Sequence, residues 1–281
     1  MNGAFNRPEA KYRARMAMRG AYPHPMLVTL VYIALTSWLV MALTYFVSNP
    51  FQLALLYLAE GARVEDVFYY LFTLQRIASF LLLELLIFLY QWIMQYGYVA
   101  YALGLARRTG PGYKTLLEGF SHIGRALGVS FFTALFVTLW GLLGMVPYFV
   151  FLILGAVLQD LSIIMFSPVL AFLGTILPFV ISYRYRLATY FLLDEPNMGV
   201  LASIRESKQT MRSRKWQLFI MDLSFLGWGL LSLITFGIVG LWAEPYMWVT
   251  EANFYHWARW GTFPGDTNPG PSVGYQSPYQ N

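Results

Sequence analysis

Glu84 is the only charged residue between Arg76 and Arg107, and Gln91, Gln95 and Tyr98 follow it at i+7, i+11 and i+14. Those spacings keep all four on one face of a helix. An ionisable group at membrane depth is costly and is read first as functional. This face is therefore expected to border a polar path or a binding cleft. The structural alternative is a carboxyl that is protonated or hydrogen-bonded to a neighbouring helix. A second set is Asp222 with Arg184 and Arg186, expected to form an interhelical ion pair because a buried charge needs a partner. A third is the basic stretch IRESKQTMRSRKWQLF (204–219), carrying Arg205, Lys208, Arg212, Arg214 and Lys215.

Catalysis has little to work with. No phosphate-binding loop, HExxH helix, nucleophile elbow or pair of catalytic carboxylates occurs, and the acidic group Glu60, Glu65 and Asp66 reads as a solvated loop. There is no cysteine, and the three histidines, His24, His122 and His256, lack ligand spacing. No catalytic residue, metal site or cofactor is assigned, and a noncatalytic protein is expected.

The elements that would position these residues follow from hydropathy. Of 281 residues 58% are hydrophobic and 12% are charged, against about 25% charged in an ordinary soluble domain. Residues 126–159 and 161–183 contain no Asp, Glu, Lys, Arg or His, and each run exceeds the ~20 residues that cross a bilayer. The 22 Phe, 20 Tyr and 9 Trp suit aromatic belts at two interfaces. Spans are expected near 26–47, 77–103, 124–152, 162–187 and 217–241. The first is too long for the apolar region of a secretory signal and is read as retained. A sixth segment, 245–260, is short and carries Glu251, Asn253 and His256; it fits either a tilted span or an interfacial helix.

Charge orients these spans. Sixteen of the 19 basic residues fall in 1–25, in the connection after the second span and in the connection after the fourth, all on one side of an alternating topology. Glu60, Glu65, Asp66 and Asp160 fall on the other, with only Arg63 and Arg76. Basic residues mark the cytoplasmic side, so the N-terminus is expected there. The net charge of +5 is explained by this asymmetry and does not point to nucleic acid.

Three stretches share a pattern of basic amphipathic segment, break and span: KYRARMAMRG onward from Lys11, LLEGFSHIGRALG onward from Leu116, and SIRESKQTMRSRKW onward from Ser203. They fit a unit of one elbow helix and two spans, used three times, which favours a sixth span. In the third elbow Met198, Leu201, Ile204 and Met211 form an apolar stripe, while Arg205, Lys208 and Arg212 lie off it. That helix is expected at the inner membrane surface, with its stripe in the acyl boundary and its basic residues on anionic lipid.

The run YRYRLATYFLLDEPNMGVLASIRESKQTMRSRKWQLF, continuing through GWGLL to AEPYMW, resembles the C-terminal half of the DUF975 family of bacterial integral membrane proteins. KYRARMAMRG and GFSHIGRALG are similar to that family's basic opening and central elbow, so the resemblance covers about residues 10–258. It implies a bacterial plasma membrane location and carries no established reaction.

The expected fold is therefore all-α: a polytopic helical membrane protein with about six transmembrane helices and three cytoplasmic amphipathic elbow helices. Residues 1–25 form a basic elbow, 26–260 a single transmembrane domain and 261–281 a disordered tail. Two functions are expected as alternatives. One is transport-like or lipid- or amphiphile-binding, through an intramembrane cleft at Glu84, Gln91 and Gln95. The other is a scaffold whose basic elbows dock a protein partner. Oligomeric state is not legible.

Overall fold

The computed structural model describes residues 5–48, 50–71 and 73–266. Every regular element among them is helical. The chain opens with α1 (Arg7–Met18), whose first turn is capped by the Asn6 side chain accepting from the Glu9 N–H and carries Pro8 where its missing N–H costs nothing. Ala10, Ala14 and Ala17 form its buried face. α2 (Pro25–Ile33) passes through a π-helical turn (Ala34–Trp38) into α3 (Leu39–Ser48); α4 (Pro50–Ala59) and α5 (Val64–Leu71) follow. The 33-residue α6 (Leu74–Ala106) then returns, ending at Arg107.

A 3₁₀ turn (Tyr113–Leu117) and the one-turn α7 (Glu118–Ser121) fold back along α6. Glycine permits the fold-back. A Cβ on Gly97 would meet the Leu116 carbonyl oxygen at 2.0 Å, and one on Gly119 would meet that of Ile93 at 2.0 Å. α8 (Ile123–Leu158) and α9 (Leu161–Ser182) form a long antiparallel hairpin, with Asp160 capping α9 through the Ser162 N–H. Gly144 and Gly174 bring the two backbones together. Beyond it lie α10 (Ala188–Asp194), α11 (Val200–Thr210), α12 (Lys215–Leu223), α13 (Leu226–Ile234) and α14 (Gly240–Trp260).

Five segments are long and apolar enough to cross a membrane: Pro25–Tyr45, Ile77–Ala106, Ile123–Leu158, Leu161–Ser182 and Lys215–Ile234. The fourth stops at Ser182, short of the expected 187, because the chain turns through Tyr183–Leu187 into α10. The fifth is broken at Ser224–Phe225. Segment 245–260 lies inside α14, and nearly all of Val249–Ala258 is buried in protein.

Burial divides the molecule into two levels. Apolar side chains are exposed along α3, the first part of α6, most of α8, α9 and α13. Exposed leucine and phenylalanine at this density form a surface suited to lipid. The buried core sits at the other, basic end, where Met94–Ala106 of α6, the alanine face of α1, α10, and the second half of α14 pack together. Phe136 of α8 packs on Tyr185, just past the end of α9. The first 14 residues of α8, about four turns, therefore belong to the core, and the remaining 22 residues match α9 in length.

Two expectations about the basic end need correction. The middle elbow is a 3₁₀ turn and a single helical turn rather than an amphipathic helix. The tail begins later than expected, since Gly261–Asp266 is docked on α1 by Arg13, which lies 2.7 Å from Asp266 and donates to the Pro264 carbonyl. Residues 267–281 of that tail lie outside the described residues.

Candidate functional site

The most concentrated polar structure is at the basic end, where α10 runs out. The run Phe191-Leu192-Leu193 packs α10 into the core, and Pro196 prevents its continuation, which leaves Asp194 and Glu195 at the terminus. Asp194 is 3% exposed and takes two guanidinium groups: Arg107 from the end of α6 at 2.6 Å and Arg259 from the end of α14 at 3.2 Å. The Tyr255 hydroxyl donates to its Oδ2 at 2.6 Å. Arg259 also pairs with Glu195, and Arg125 of α8 donates to the backbone carbonyls of Leu192 and Glu195. Three helices separated widely in sequence are thus tied to one acidic corner.

Two clefts flank it. One is lined by Arg107, Glu195, Asn197, His256, Arg259 and Trp260. The other, with a volume of about 200 Å³, is lined by Tyr96, Gly104, Arg107, Glu118, His122 and Arg125. Arg107 and Arg259 are held by the two carboxylates and Arg125 by backbone carbonyls, so the corner acts first as a clamp. No group of three or more His, Asp or Glu among the described residues is placed to hold a metal.

A second ionic cluster lies where the core meets the apolar level. Arg186 donates to both carboxylate oxygens of Glu251 at 2.8–3.1 Å. Glu251 is 5% exposed, while the Arg186 side chain keeps 45% of its surface. The carboxylate holds that guanidinium charged more firmly than usual. Asp222 accepts from the Tyr183 hydroxyl at 2.9 Å. Among the described residues Asp222 makes no direct ion pair with Arg184 or Arg186: α14 brings Glu251 to Arg186, whose charge still acts on Asp222, and Tyr183, at the mouth of α9, hydrogen-bonds it. Ser207 accepts from the Leu187 N–H and donates to the Arg184 carbonyl.

The four residues of the expected polar face on α6 are not brought to one cleft. Glu84 is half-buried and Gln91 and Gln95 are exposed. Tyr98 is fully buried, sharing a 2.8 Å hydrogen bond with Thr29. None of the four lines the clefts above. On α11 Arg205 and Lys208 are exposed; in the turn that follows Arg212 is exposed and Arg214 half-buried, as is Lys215 at the start of α12. The buried face of that helix is Ser203, Ile204 and Ser207, continued by Met211, while Leu201 is exposed. The expected apolar stripe is thus replaced by a mixed face held against protein. Sequence reasoning missed Asp194, Glu195, Tyr255, Arg259 and the Glu251 pairing. The adjacent acids of LLDEP, in a chain with so few charges, were the available signal.

A family profile described as a protein of unknown function (DUF975) matches residues 1–259. The chain belongs to the DUF975 family. The DUF975 match takes in both ionic clusters through Arg259 and stops before the docked Thr262–Asp266 segment. No curated protein and no solved structure matches the chain.

Proposed function

We propose that this DUF975 protein is a noncatalytic, multi-pass protein of the bacterial plasma membrane whose basic, cytoplasmic end binds anionic phospholipid headgroups of the inner leaflet. The observation that carries the reading is the collar at the start of α12. Trp216 is 67% exposed and stacks on Phe219, which packs in turn on Phe179 and Tyr183 at the end of α9. That is the rim where the long apolar face of α9 ends. Arg212 is exposed beside it, with Lys215 half-buried. Tryptophan and basic side chains at such a rim suit the headgroup layer, where each cation gains about 1 kcal/mol from an anionic surface.

Native mass spectrometry of protein extracted in mild detergent tests this. The parent is expected to retain phosphatidylglycerol in preference to phosphatidylcholine. Replacing Arg212 and Lys215 together with Gln removes about 2 kcal/mol, so anionic lipid affinity should fall roughly 30-fold. Equal retention by parent and variant refutes the reading.

A second reading has its own support. Arg205 and Lys208 stand on the part of α11 that leaves the rim, where Val200 packs on Gly128, within the core-level turns of α8. That exposed pair suits an acidic protein partner, and a pull-down lost on R205Q/K208Q but unchanged on R212Q/K215Q would select it.

A further inference from the structure

The three helical hairpins do not have the same reach. From the Phe136–Tyr185 contact, α8 continues 22 residues to Leu158, and α9 returns over 22 residues, about 33 Å each at ~1.5 Å per residue. Asp222 is fixed to Tyr183 at that same contact level, yet only 12 residues, about 18 Å, separate it from the end of α13 at Ile234. The return leg agrees. Glu251 meets Arg186, and α14 begins only 11 residues earlier, about 16 Å away. A separate anchor gives the same result. Trp248 of α14 packs on Tyr98 of α6, and Trp260 lies under Arg107, so the two helices descend together. Above Tyr98, α6 rises 24 residues, about 36 Å, whereas α14 rises eight above Trp248, about 12 Å.

The tips differ in kind as well. The turn between α4 and α5 exposes Glu60 and Arg63, with Glu65 and Asp66 just beyond, and the turn between α8 and α9 carries Gln159 and Asp160. Between α13 and α14 the turn itself, Thr235-Phe236-Gly237-Ile238-Val239, carries no charge and Phe236 is 98% exposed, while Glu244, one turn into α14, shares a groove with Ser232, Phe236 and Gly237. The turn's five backbone N–H groups are all satisfied internally: to Leu231, Leu233, Ser232 and Thr235 carbonyls and, for Val239, to the Thr235 hydroxyl. Gly237, at φ +88°, permits the tight reversal. Backbone in hydrocarbon has no water to bond; the N–H groups of this turn meet that demand, while the Phe236 and Gly237 carbonyls accept no backbone bond among the described residues.

We propose that α12–α13 and α14 form a re-entrant hairpin, which enters the bilayer from the basic side and reverses within the hydrocarbon core, with Phe236 and Ile238 in contact with acyl chains. A hydrocarbon core of about 30 Å exceeds the ~18 Å and ~16 Å that the two legs reach beyond the Tyr183–Asp222 and Arg186–Glu251 contacts. Both ends of the hairpin then lie with α1, as the Asn253 hydrogen bond to the Ala10 carbonyl requires. The inference rests on the membrane reading under Proposed function.

The chain contains no cysteine, so single substitutions report unambiguously. Glu60→Cys, Leu161→Cys, Phe236→Cys and Ile238→Cys are each reconstituted into sealed vesicles and treated with a membrane-impermeant maleimide from either side. The first two should label from the side opposite α1. Phe236→Cys and Ile238→Cys should label from neither side, and at least tenfold more after detergent is added. A bimane on the same two cysteines should be quenched at least twofold more by mid-chain doxyl lipid than by a headgroup quencher. Labelling of either cysteine from the Glu60 side makes the hairpin a full crossing and overturns the proposal. So does resistance to labelling without doxyl quenching, which would place a protein surface over the tip. Extraction of the parent from vesicles by alkaline carbonate would instead overturn the membrane reading itself.

Discussion

Replacing Asp194 with Asn keeps the shape of the acidic corner and an acceptor for the Tyr255 hydroxyl, but removes the charge that two guanidiniums share. Asp194 is 3% exposed and Arg107 and Arg259 are 15% exposed, so little water is available to compensate. Removing one partner of a buried pair costs about 3–5 kcal/mol, or roughly 6–20 °C in melting temperature for a domain of this size. Glu195→Gln is the control. Glu195 is 37% exposed, and an exposed pair contributes about 0–1 kcal/mol. Thermal unfolding followed by gel filtration in mild detergent separates the two, and at high salt the Asp194→Asn loss should persist while the small Glu195→Gln loss fades. Combining Asp194→Asn with Arg107→Gln should cost less than the two separate losses added together. A melting point for Asp194→Asn within about 2 °C of the parent, or a Glu195→Gln loss as large, would refute the clamp.

The second ionic cluster should respond asymmetrically. Arg186→Gln strands the buried Glu251 carboxylate and should cost about 3–5 kcal/mol, whereas Glu251→Gln leaves a guanidinium that keeps 45% of its surface and still feels the Asp222 charge, and should cost clearly less; equal losses in the melting assay would argue against the pairing. Gly174→Ala puts a Cβ 2.4 Å from the Gly144 carbonyl oxygen and should destabilise by about 1–3 kcal/mol, while Gly227→Ala, with open space around it, should be neutral or slightly stabilising. Burial opposes ionisation of Asp266, but the Phe263 N–H bond and the Arg13 guanidinium outweigh it and hold the carboxyl below its usual range. Its contribution is therefore present above the unfolded value of about 3.9 and lost as pH falls through the lower folded value. Hydrogen exchange at the Phe263 amide should show protection at pH 6 that fades in acid, and Asp266→Asn should remove that protection at pH 6; protection independent of pH and of this substitution would dismiss the contact.

The fold class was legible because uncharged runs such as 126–159 leave one solvent that suits them, and because basic residues gather at alternate connections. The charged contacts were not. Arg186 and Glu251 lie 65 residues apart, and nothing in local spacing brings α14 to that corner. Asp222 was matched to the nearest basic residues along the topology, where a tyrosine hydroxyl stood closer. On α11 an apolar-only period selects Leu201, whereas the packed face uses Ser203 and Ser207, whose hydroxyls bond to backbone carbonyls of α11 and Arg184 and, through Ser207, to the Leu187 N–H. On α6, Gln91 and Tyr98 are seven residues apart and share a face, yet one is exposed and the other buried. Depth along the helix decides this, since α2 and α14 close over α6 only near Tyr98.

The hydrogen bond from Asn253 to the Ala10 carbonyl spans 243 residues of chain. At a synthesis rate of about 5–20 residues per second, the helix made first waits roughly 12–50 s for the one that covers it. During that interval the small-residue face of Ala10, Ala14 and Ala17 can meet α6 but lacks α14, and Arg13 has no Asp266. The seat of the N-terminal helix is therefore completed only when α14 has been made. Any truncation that removes α14 leaves it permanently in the nascent state, open to whatever binds unfinished chains.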